Sequence, residues 1–383
     1  MLQKIKQLRK ELHRNPELSE QEVETAAQIK KFVQEHHNTN IIDNIGGTGL
    51  AVIYDFPGDG PTVMIRCELD ALPIEETNIF DHKSNNKGVS HKCGHDGHMS
   101  IVAGLIFWLK ERQFQNGKIV LLFQPAEEVG TGALNVLNDL KFNSLNPDYI
   151  FALHNIPGEE INSVITVKNN FCATVQSVAI QLTGKESHSA QPEEGINPAL
   201  CIAELIQKFD TLNFPDLTGD DFTLFIPVYS AMGKTSYGIS AGFGELHYTL
   251  RTWNVEKMES LKVKIDTILL SIVKKHQLTF SVKWFDFFPT VINDEYCNEL
   301  INTTAQNNKL KIIQKSHPFR FGEDFGWFSQ QYKTAMFGLG AGINSPALHH
   351  ADYDFPEEIM ETGMDMFKGI IESLISKKEH NEE

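Results

Sequence analysis

No stretch of this 383-residue sequence is apolar enough to cross a bilayer: the most apolar run, Ile101–Leu109, falls far short of the roughly 18–20 residues that a spanning helix needs. The opening segment, MLQKIKQLRKELHRNPEL, carries charges throughout and has no apolar stretch of the signal-peptide kind. Positive charge is short as well. The 34 Lys and Arg against 50 Asp and Glu leave a formal charge of −16, which argues against nucleic acid and anionic lipid as partners. Cysteine is scarce: Cys67, Cys93, Cys172, Cys201 and Cys297 are odd in number, scattered and without a CxxC pair. A disulfide scaffold is therefore not expected, and a reducing cytoplasmic compartment is. Internal repeats and low-complexity tracts are missing too.

What is present is material for a core. Hydrophobic residues make up 41% and charged residues 22%, which excludes disorder, and the length suits about two domains. The pattern predicts a helix over Gln3–His13, broken at Asn15-Pro16. Ser19-Glu20-Gln21-Glu22 reads as a capping box opening a second helix, with Val23, Ala26, Ala27, Phe32 and Val33 at helical spacing. Apolar strands follow at Leu50–Phe56, Thr62–Arg66, Lys118–Phe123 and Tyr149–Leu153, with a helix over Met99–Arg112 between them. Buried strands alternating with helices indicate an open α/β sheet, and polar residues crowd the carboxyl ends of these strands, where such sheets place ligands.

The rhythm changes after about residue 172. Val175–Thr183 and Gly244–Arg251 alternate with period two, and the order strand, helix (Asn197–Phe209), strand (Phe222–Tyr229), strand, helix (Val255–His276), strand (Thr279–Phe285) is that of a ferredoxin-like α+β module. The α/β pattern then returns with a helix over Glu295–Gln306, a strand over Thr334–Gly338, a final helix over Pro356–Ser376 and a charged, frayed tail. The expected organisation is a discontinuous α/β domain, residues 1–172 and 288–383, interrupted by an inserted domain, 173–287. Gly244–Arg251 is expected to offer a strand edge for pairing two copies.

Several clusters carry chemistry. His91-Lys92-Cys93-Gly94-His95-Asp96-Gly97-His98 has thiolate and imidazole donors at the density of a metal site, although a polar loop with incidental histidines has the same letters. Adjacent carboxylates Glu127 and Glu128 follow a strand directly; as a pair they are either a solvated loop or one metal ligand beside one substrate-facing group. His154 ends the strand Tyr149–Leu153, and His349-His350 follows a glycine-rich strand exit. Each alone reads equally as a turn histidine. Ser187-His188 suggests a nucleophile pair, but no strand–nucleophile–helix elbow accompanies it. Asp324, in Arg320–Phe325, orients a substrate or caps a helix.

Taken in order, LHRNPELSEQE, RCELDALPIEE, HKCGHDGH, FQPAEE, ALHNIP, GKESHSAQP, GEDF and LHHADYDF resemble the dinuclear-metal amidohydrolases and metallopeptidases that include aminoacylase, hippurate hydrolase and the auxin-conjugate hydrolases. The similarity spans essentially the whole chain. It implies an open mixed-sheet metallohydrolase domain with an inserted ferredoxin-like lid and dimerisation domain. It implies Cys93, His95, Glu128, His154 and His349 as ligands of two divalent ions per subunit, Zn²⁺ or Mn²⁺ with Co²⁺ and Ni²⁺ as alternatives. Cys93 would fill the bridging place. Glu127 matches the general base and acid, Asp70 the carboxylate that orients a ligand, and His188 the lid histidine that in similar proteins stabilises the oxyanion in a neighbouring subunit's site. The implied activity is hydrolysis of N-acyl amino acids by a cytoplasmic homodimer. A dipeptidase, a carbamoyl-amide hydrolase and a non-catalytic relative are the alternatives. Tyr237–Ala241 lacks the Asn-x-x-Pro that similar enzymes carry near substrate, which leaves the substrate open.

Overall fold

The computed structural model describes residues 1–375. The predicted helix end at Ser376 and the charged tail lie outside the described residues. In chain order the elements begin α1 (Leu2–Arg14), α2 (Val23–His36), β1 (Asn40–Ile45), β2 (Gly49–Asp55), β3 (Gly58–Glu68), α3 (His95–Leu109), β4 (Asn116–Gln124), α4 (Gly132–Leu137), α5 (Leu140–Asn143), β5 (Tyr149–Ile156) and β6 (Val164–Val167). Next come β7 (Thr174–Thr183), β8 (Ser187–His188), α6 (Ala199–Asp210), β9 (Thr223–Met232), β10 (Ile239–Ser240), β11 (Phe243–Thr252), α7 (Val255–Lys275) and β12 (Thr279–Phe288). The chain closes with α8 (Glu295–Asn307), β13 (Ile312–Lys315), α9 (Gly326–Ser329), β14 (Lys333–Gly340) and α10 (Met360–Ile375). They form two compact units, one of Met1–Phe171, Val291–Ser316 and the described residues from Glu323 onward, the other of Cys172–Thr290 and His317–Gly322.

The first unit is built on an eight-stranded mixed sheet in the order β1-β2-β4-β3-β5-β14-β6-β13. Its four central strands, β4, β3, β5 and β14, run parallel. Their apolar runs are buried on both faces, as parallel strands require. This large mixed sheet is the open α/β arrangement that the alternating strands and helices predict. Helix α3 starts at His95 rather than Met99, because Gly94 ahead of it takes a left-handed φ of 95°. Only glycine suits that position: a Cβ there would also meet Asn155 Oδ1 at 2.7 Å. The helix is apolar almost all round and packs against α1, α2 and α10.

The Ser19–Glu22 segment is not a capping box. Glu22 is the N-cap of α2 but makes no side-chain cap bond. Ser19 instead donates to Asp70 Oδ2 (2.7 Å), and Glu22 accepts from the Ala126 amide (2.8 Å). Buried donors and acceptors from elsewhere in the fold outcompete the local i,i+3 exchange.

The second unit carries a four-stranded antiparallel sheet, β12-β7-β11-β9, with α6 and α7 packed on it. Here β11, which contains Gly244–Arg251, is an interior strand paired with both β7 and β9. The expected edge is therefore not this strand. The sheet ends at β9, whose outer residues Ile226, Val228, Tyr229 and Met232 are exposed.

Candidate metal centre

The carboxyl ends of the central parallel strands of the first unit converge on one place. Strand β3 leads into Asp70, β4 into Glu127 and Glu128, β5 carries His154 two residues before its end, and the loop after β14 carries His349. The turn before α3 contributes Cys93, and its first residue is His95. This is where an open α/β sheet places a ligand. The five residues expected as ligands come together here with Glu127. Cys93, His95 and His154 form one group, Cys93, Glu128 and His349 a second, and His95, Glu127 and Glu128 a third, each with donor atoms within 4.8 Å of one another. Cys93 belongs to two of the three.

These donors are spaced as the ligands of a shared cation would be. His95 Nε2 lies 3.9 Å from Glu128 Oε1 and 3.9 Å from Glu127 Oε2, and His349 Nε2 lies 3.8 Å from Glu128 Oε2. Cys93 Sγ is 3.5 Å from His154 Nε2. Bonds of 2.0–2.3 Å in a tetrahedral shell set ligand atoms about 3.3–3.8 Å apart. Buried His95 Nε2 and Glu128 Oε1 have no hydrogen-bond partner, a costly state for polar atoms unless something else binds them. The far side of each ring is fixed. His95 Nδ1 donates to the Asp70 carbonyl (2.9 Å) and His154 Nδ1 to the Asn155 carbonyl (2.9 Å), which leaves each Nε2 turned toward the cluster. The donor set therefore fits divalent cations.

Two further acidic groups do not. Glu68 with His95 and His98, and Glu127 with Glu323 and Asp324, also lie within ligand distance. But Glu68 accepts from His98 Nδ1 (2.7 Å), and the Arg66 guanidinium donates to Glu68, Glu323 and Asp324. Those oxygens are already satisfied.

Charge follows from the same geometry. Burial opposes protonation of His95, yet the Asp70 hydrogen bond and the nearby Glu68 and Glu128 carboxylates hold its pKa up at about 10. Burial pushes Glu128 up to about 7 against the pull of His95, and pushes Glu127 well above the carboxylate range, with Glu323 adding to the rise. Burial drives His154 down to about 3 and the Cys93 thiol up. Near pH 7.5 the cation-free site thus holds protons on His95 and Cys93 that a bound cation must displace. More than one proton per chain is expected on loading with Mn²⁺, read by calorimetry in buffers of different ionisation enthalpy. No proton release at that pH would contradict this site. The sign for stability follows too. Glu128 binds its proton more tightly folded than unfolded, so its contribution is full below 4.5 and is lost as pH rises through about 7 in the cation-free protein.

The sequence profile of peptidase family M20/M25/M40 matches residues 64–373, a span holding every residue of this cluster. The chain belongs to this family. The N-acetyl-L-cysteine deacetylase of Bacillus subtilis is 32% identical over 334 residues, covering 86% of this chain and 79% of that protein. An N-acetyldiaminopimelate deacetylase of the same organism is 29% identical and covers 94% of this chain and 96% of its own. Among solved structures, a dinuclear metal-binding M20 peptidase of Bacillus subtilis has the same fold, with a TM-score of 0.83 at 24% identity over 98% of this chain and 99% of that one.

The other predicted positions of this M20 chain fall as follows. Buried Asp70 accepts from Ser19 Oγ (2.7 Å) and from the Glu128 amide (2.9 Å) on Oδ2, and hydrogen bonds hold its pKa down despite burial. Asp324 does not cap a helix, since the N-cap of α9 is Phe325. Its side chain instead accepts from Arg66, Gln124 and the Ala133 amide, while its own amide donates to Glu127 Oε1 (3.3 Å). His188 lies in the second unit, exposed on β8, which pairs with β10. Its Nδ1 accepts from the Ala190 amide (3.0 Å), which puts the ring proton on Nε2. Ser187 and His188 are successive strand residues and point to opposite faces, so they make no nucleophile pair. Gly238-Ile239-Ser240-Ala241-Gly242 carries the letters of a serine elbow, which the sequence reading passed over. But Ser240 lies on β10, with strand β11 rather than a helix following, so it is no nucleophile elbow. Sequence reasoning gave no such hydrogen-bonding role to Glu22, Arg66, His98 or Glu323, each of which has partners far away in the chain.

Proposed function

We propose that this M20 protein is a metal-dependent amidohydrolase that cleaves the amide bond of N-acyl amino acids. The observation that carries the reading is a glutamate, Glu127, held beside a cluster of thiol, imidazole and carboxylate donors at the end of a parallel sheet, two of whose buried atoms, His95 Nε2 and Glu128 Oε1, have no hydrogen-bond partner. The named relatives remove an acetyl group from cysteine or diaminopimelate derivatives, which points to N-acetyl amino acids first. Cys93, His95, Glu128, His154 and His349 would hold two divalent cations, Zn²⁺ or Mn²⁺. Such cations polarise the amide carbonyl and lower the pKa of the attacking water. Glu127 keeps Oε1 on the Asp324 amide and turns Oε2 toward the cluster, so it takes the proton of the water as the new C–O bond forms. It then delivers that proton to the leaving nitrogen as the C–N bond breaks. Asp70 holds His95 and the Glu128 amide in register.

His188 is carried forward from the resemblance as the oxyanion donor through its Nε2–H. His188→Ala should lower kcat about 10²–10³-fold with metal content unchanged, as for loss of one such donor; a wild-type kcat would remove it from the mechanism. The second unit is proposed as the lid and dimerisation domain of a homodimer. Strand β9, an edge with exposed Val228 and Tyr229, is a surface on which two copies could pair about a two-fold axis. A monomer by light scattering at micromolar concentration would rule this out. A cytoplasmic location completes the proposal; none of the five cysteines is in a disulfide, and no helix among the described residues is long and apolar enough to cross a membrane.

The test is a substrate screen on protein loaded with Mn²⁺, Zn²⁺ or Co²⁺, with detection of released amine. N-acetyl-cysteine, N-acetyl-methionine and N-acetyl-diaminopimelate form one arm, dipeptides a second and N-carbamoyl amino acids a third. Turnover in the first arm, abolished by chelation, is the expected result. Loaded protein that leaves every N-acyl amino acid intact refutes it.

A further inference from the structure

Glu22 is fully buried at the start of α2, yet it makes no cap for that helix. Its Oε1 accepts from the Ala126 amide (2.8 Å) and the Glu20 amide (2.9 Å), and its Oε2 from Thr48 Oγ1 (2.7 Å). Two of these partners share an unusual backbone. Ala126 has φ 53° and Glu20 φ 68°, the left-handed region that residues with a Cβ avoid. Ala126 is the residue immediately before Glu127. On the other side of Glu127, the Glu128 amide donates to Asp70 Oδ2, the oxygen that also takes the Ser19 hydroxyl. The amides of Ala126 and Glu128, the residues on either side of Glu127, are thus each fastened to a buried carboxylate, and both carboxylates are tied to the short segment Ser19–Glu22.

We propose that Glu22 is a positioning residue for Glu127 and Glu128: it fixes the left-handed turn at Ala126 and so aims the two carboxylates. Released from Glu22, Ala126 would relax toward negative φ. A rotation there re-aims both following side chains at once, whereas a metal-ligand oxygen tolerates only small displacement. The inference rests on the roles proposed above for Glu127 and Glu128. Its metal-binding readout does not require a known substrate.

The experiment compares Glu22→Ala, Glu22→Gln, Glu17→Ala and the double variant Glu22→Ala/Ala126→Gly in the full chain. Each is measured for Mn²⁺ affinity by calorimetry, kcat and KM on the best N-acyl amino acid, and Tm. Glu17 is the matched control. Its carboxylate takes the Thr25 amide and hydroxyl on the same helix but makes no bond to the Ala126 turn. Glu22→Ala should weaken Mn²⁺ binding and lower kcat, each by about 10–100-fold, the usual range for groups that orient ligands, with KM little changed. Glu22→Gln should restore both to within about threefold, because its carbonyl oxygen still accepts both amides and the Thr48 hydroxyl can turn to accept from Nε2. Glycine takes φ 53° freely, so adding Ala126→Gly to Glu22→Ala should regain at least about threefold of the lost affinity. Glu17→Ala should lower Tm without either loss. If Glu22→Ala does not fold, Glu22→Asp takes its place. Wild-type Mn²⁺ affinity in the Glu22 variant overturns the proposal. So does an equal loss in Glu17→Ala, or a double variant no better than Glu22→Ala. If no N-acyl amino acid is turned over, the proposed activity fails, while the affinity series still decides the role of Glu22.

Discussion

Glu127→Gln is expected to lower turnover about 10²–10⁴-fold while the protein keeps its full complement of metal, and Glu128→Gln is expected to lose metal as well as activity. The two residues are adjacent, yet their surroundings give them different work. Glu127 has one oxygen on the Asp324 amide at 3.3 Å, and glutamine at this position still accepts that bond. What glutamine cannot do is take a proton from water and return it to the leaving nitrogen. Glu128 faces histidines on two sides, His95 at 3.9 Å and His349 at 3.8 Å, and its negative charge is what would hold a cation between them. Glutamine removes that charge. Metal content by elemental analysis after desalting, set beside kcat, separates the two outcomes. Equal metal loss in both variants would contradict the division, and so would unchanged turnover in Glu127→Gln.

Some of this was legible in the sequence and some was not, for reasons that lie in the residues. Apolar strands that end in polar residues are a local signal. Glu127, His154 and His349 could therefore be placed at or near strand ends, and the open α/β sheet read, from sequence alone. The Ser19–Glu22 signature was misread because a capping box and a tertiary clamp have the same letters. A capping box needs only a bond from i to i+3, whereas Glu22 bonds to Ala126, 104 positions away. No spacing rule reaches that far. The same holds for Arg66, whose partners Glu323 and Asp324 lie more than 250 positions away.

The edge of the second unit's sheet, by contrast, was legible and was overlooked. Alternation in Gly244–Arg251 shows a strand with one buried face but does not say whether it has one neighbour or two. The decisive residue is Pro227 in β9. Proline has no N–H to give a second partner, which confines it to edges and bulges. Strand β9 lies on the edge, and the pairing with β11 slips at His247/Tyr248, so that Tyr248 faces Pro227 while His247 faces Tyr229. Val228 is the extra residue of a bulge, which locally breaks the ladder with β11.

Replacing Arg66 with leucine is expected to reduce stability by about 3–5 kcal/mol near neutral pH, the range for removing one side of a buried ionic network. That is a large part of the roughly 5–15 kcal/mol that holds a typical domain together. The side chain is buried and its guanidinium has no spare donor face. Nε donates to Gln124 (2.8 Å), Nη1 to Glu68, and Nη2 to Glu323 (3.0 Å) and Asp324 (2.7 Å). Leucine fills much of the space and strands three carboxylates in the core. The effect must depend on pH, and its sign can be worked out. In the wild type, burial raises the Glu68 pKa but Arg66 and then His98 more than offset it, so the group lies well below its ordinary 4.5. Its contribution to stability is present above that value and is lost as pH falls. Without Arg66, only His98 and His95 are left to oppose burial, so the Glu68 pKa rises and part of the stability present above 4.5 is lost. Asp324 already stands at about 8, raised by burial and by Glu323 against Arg66, and would rise further. The gap in unfolding free energy between wild type and Arg66→Leu should therefore be smallest near pH 4–5 and widen toward pH 8, as read from denaturant midpoints across that range. Arg66→Lys should recover only part, because a point charge cannot bridge three carboxylates as a planar fork does. A gap that stays constant from pH 4.5 to 8 would mean that Arg66 contributes by packing alone, and the charge network would then have no part in holding Asp324, and through its amide Glu127, in place.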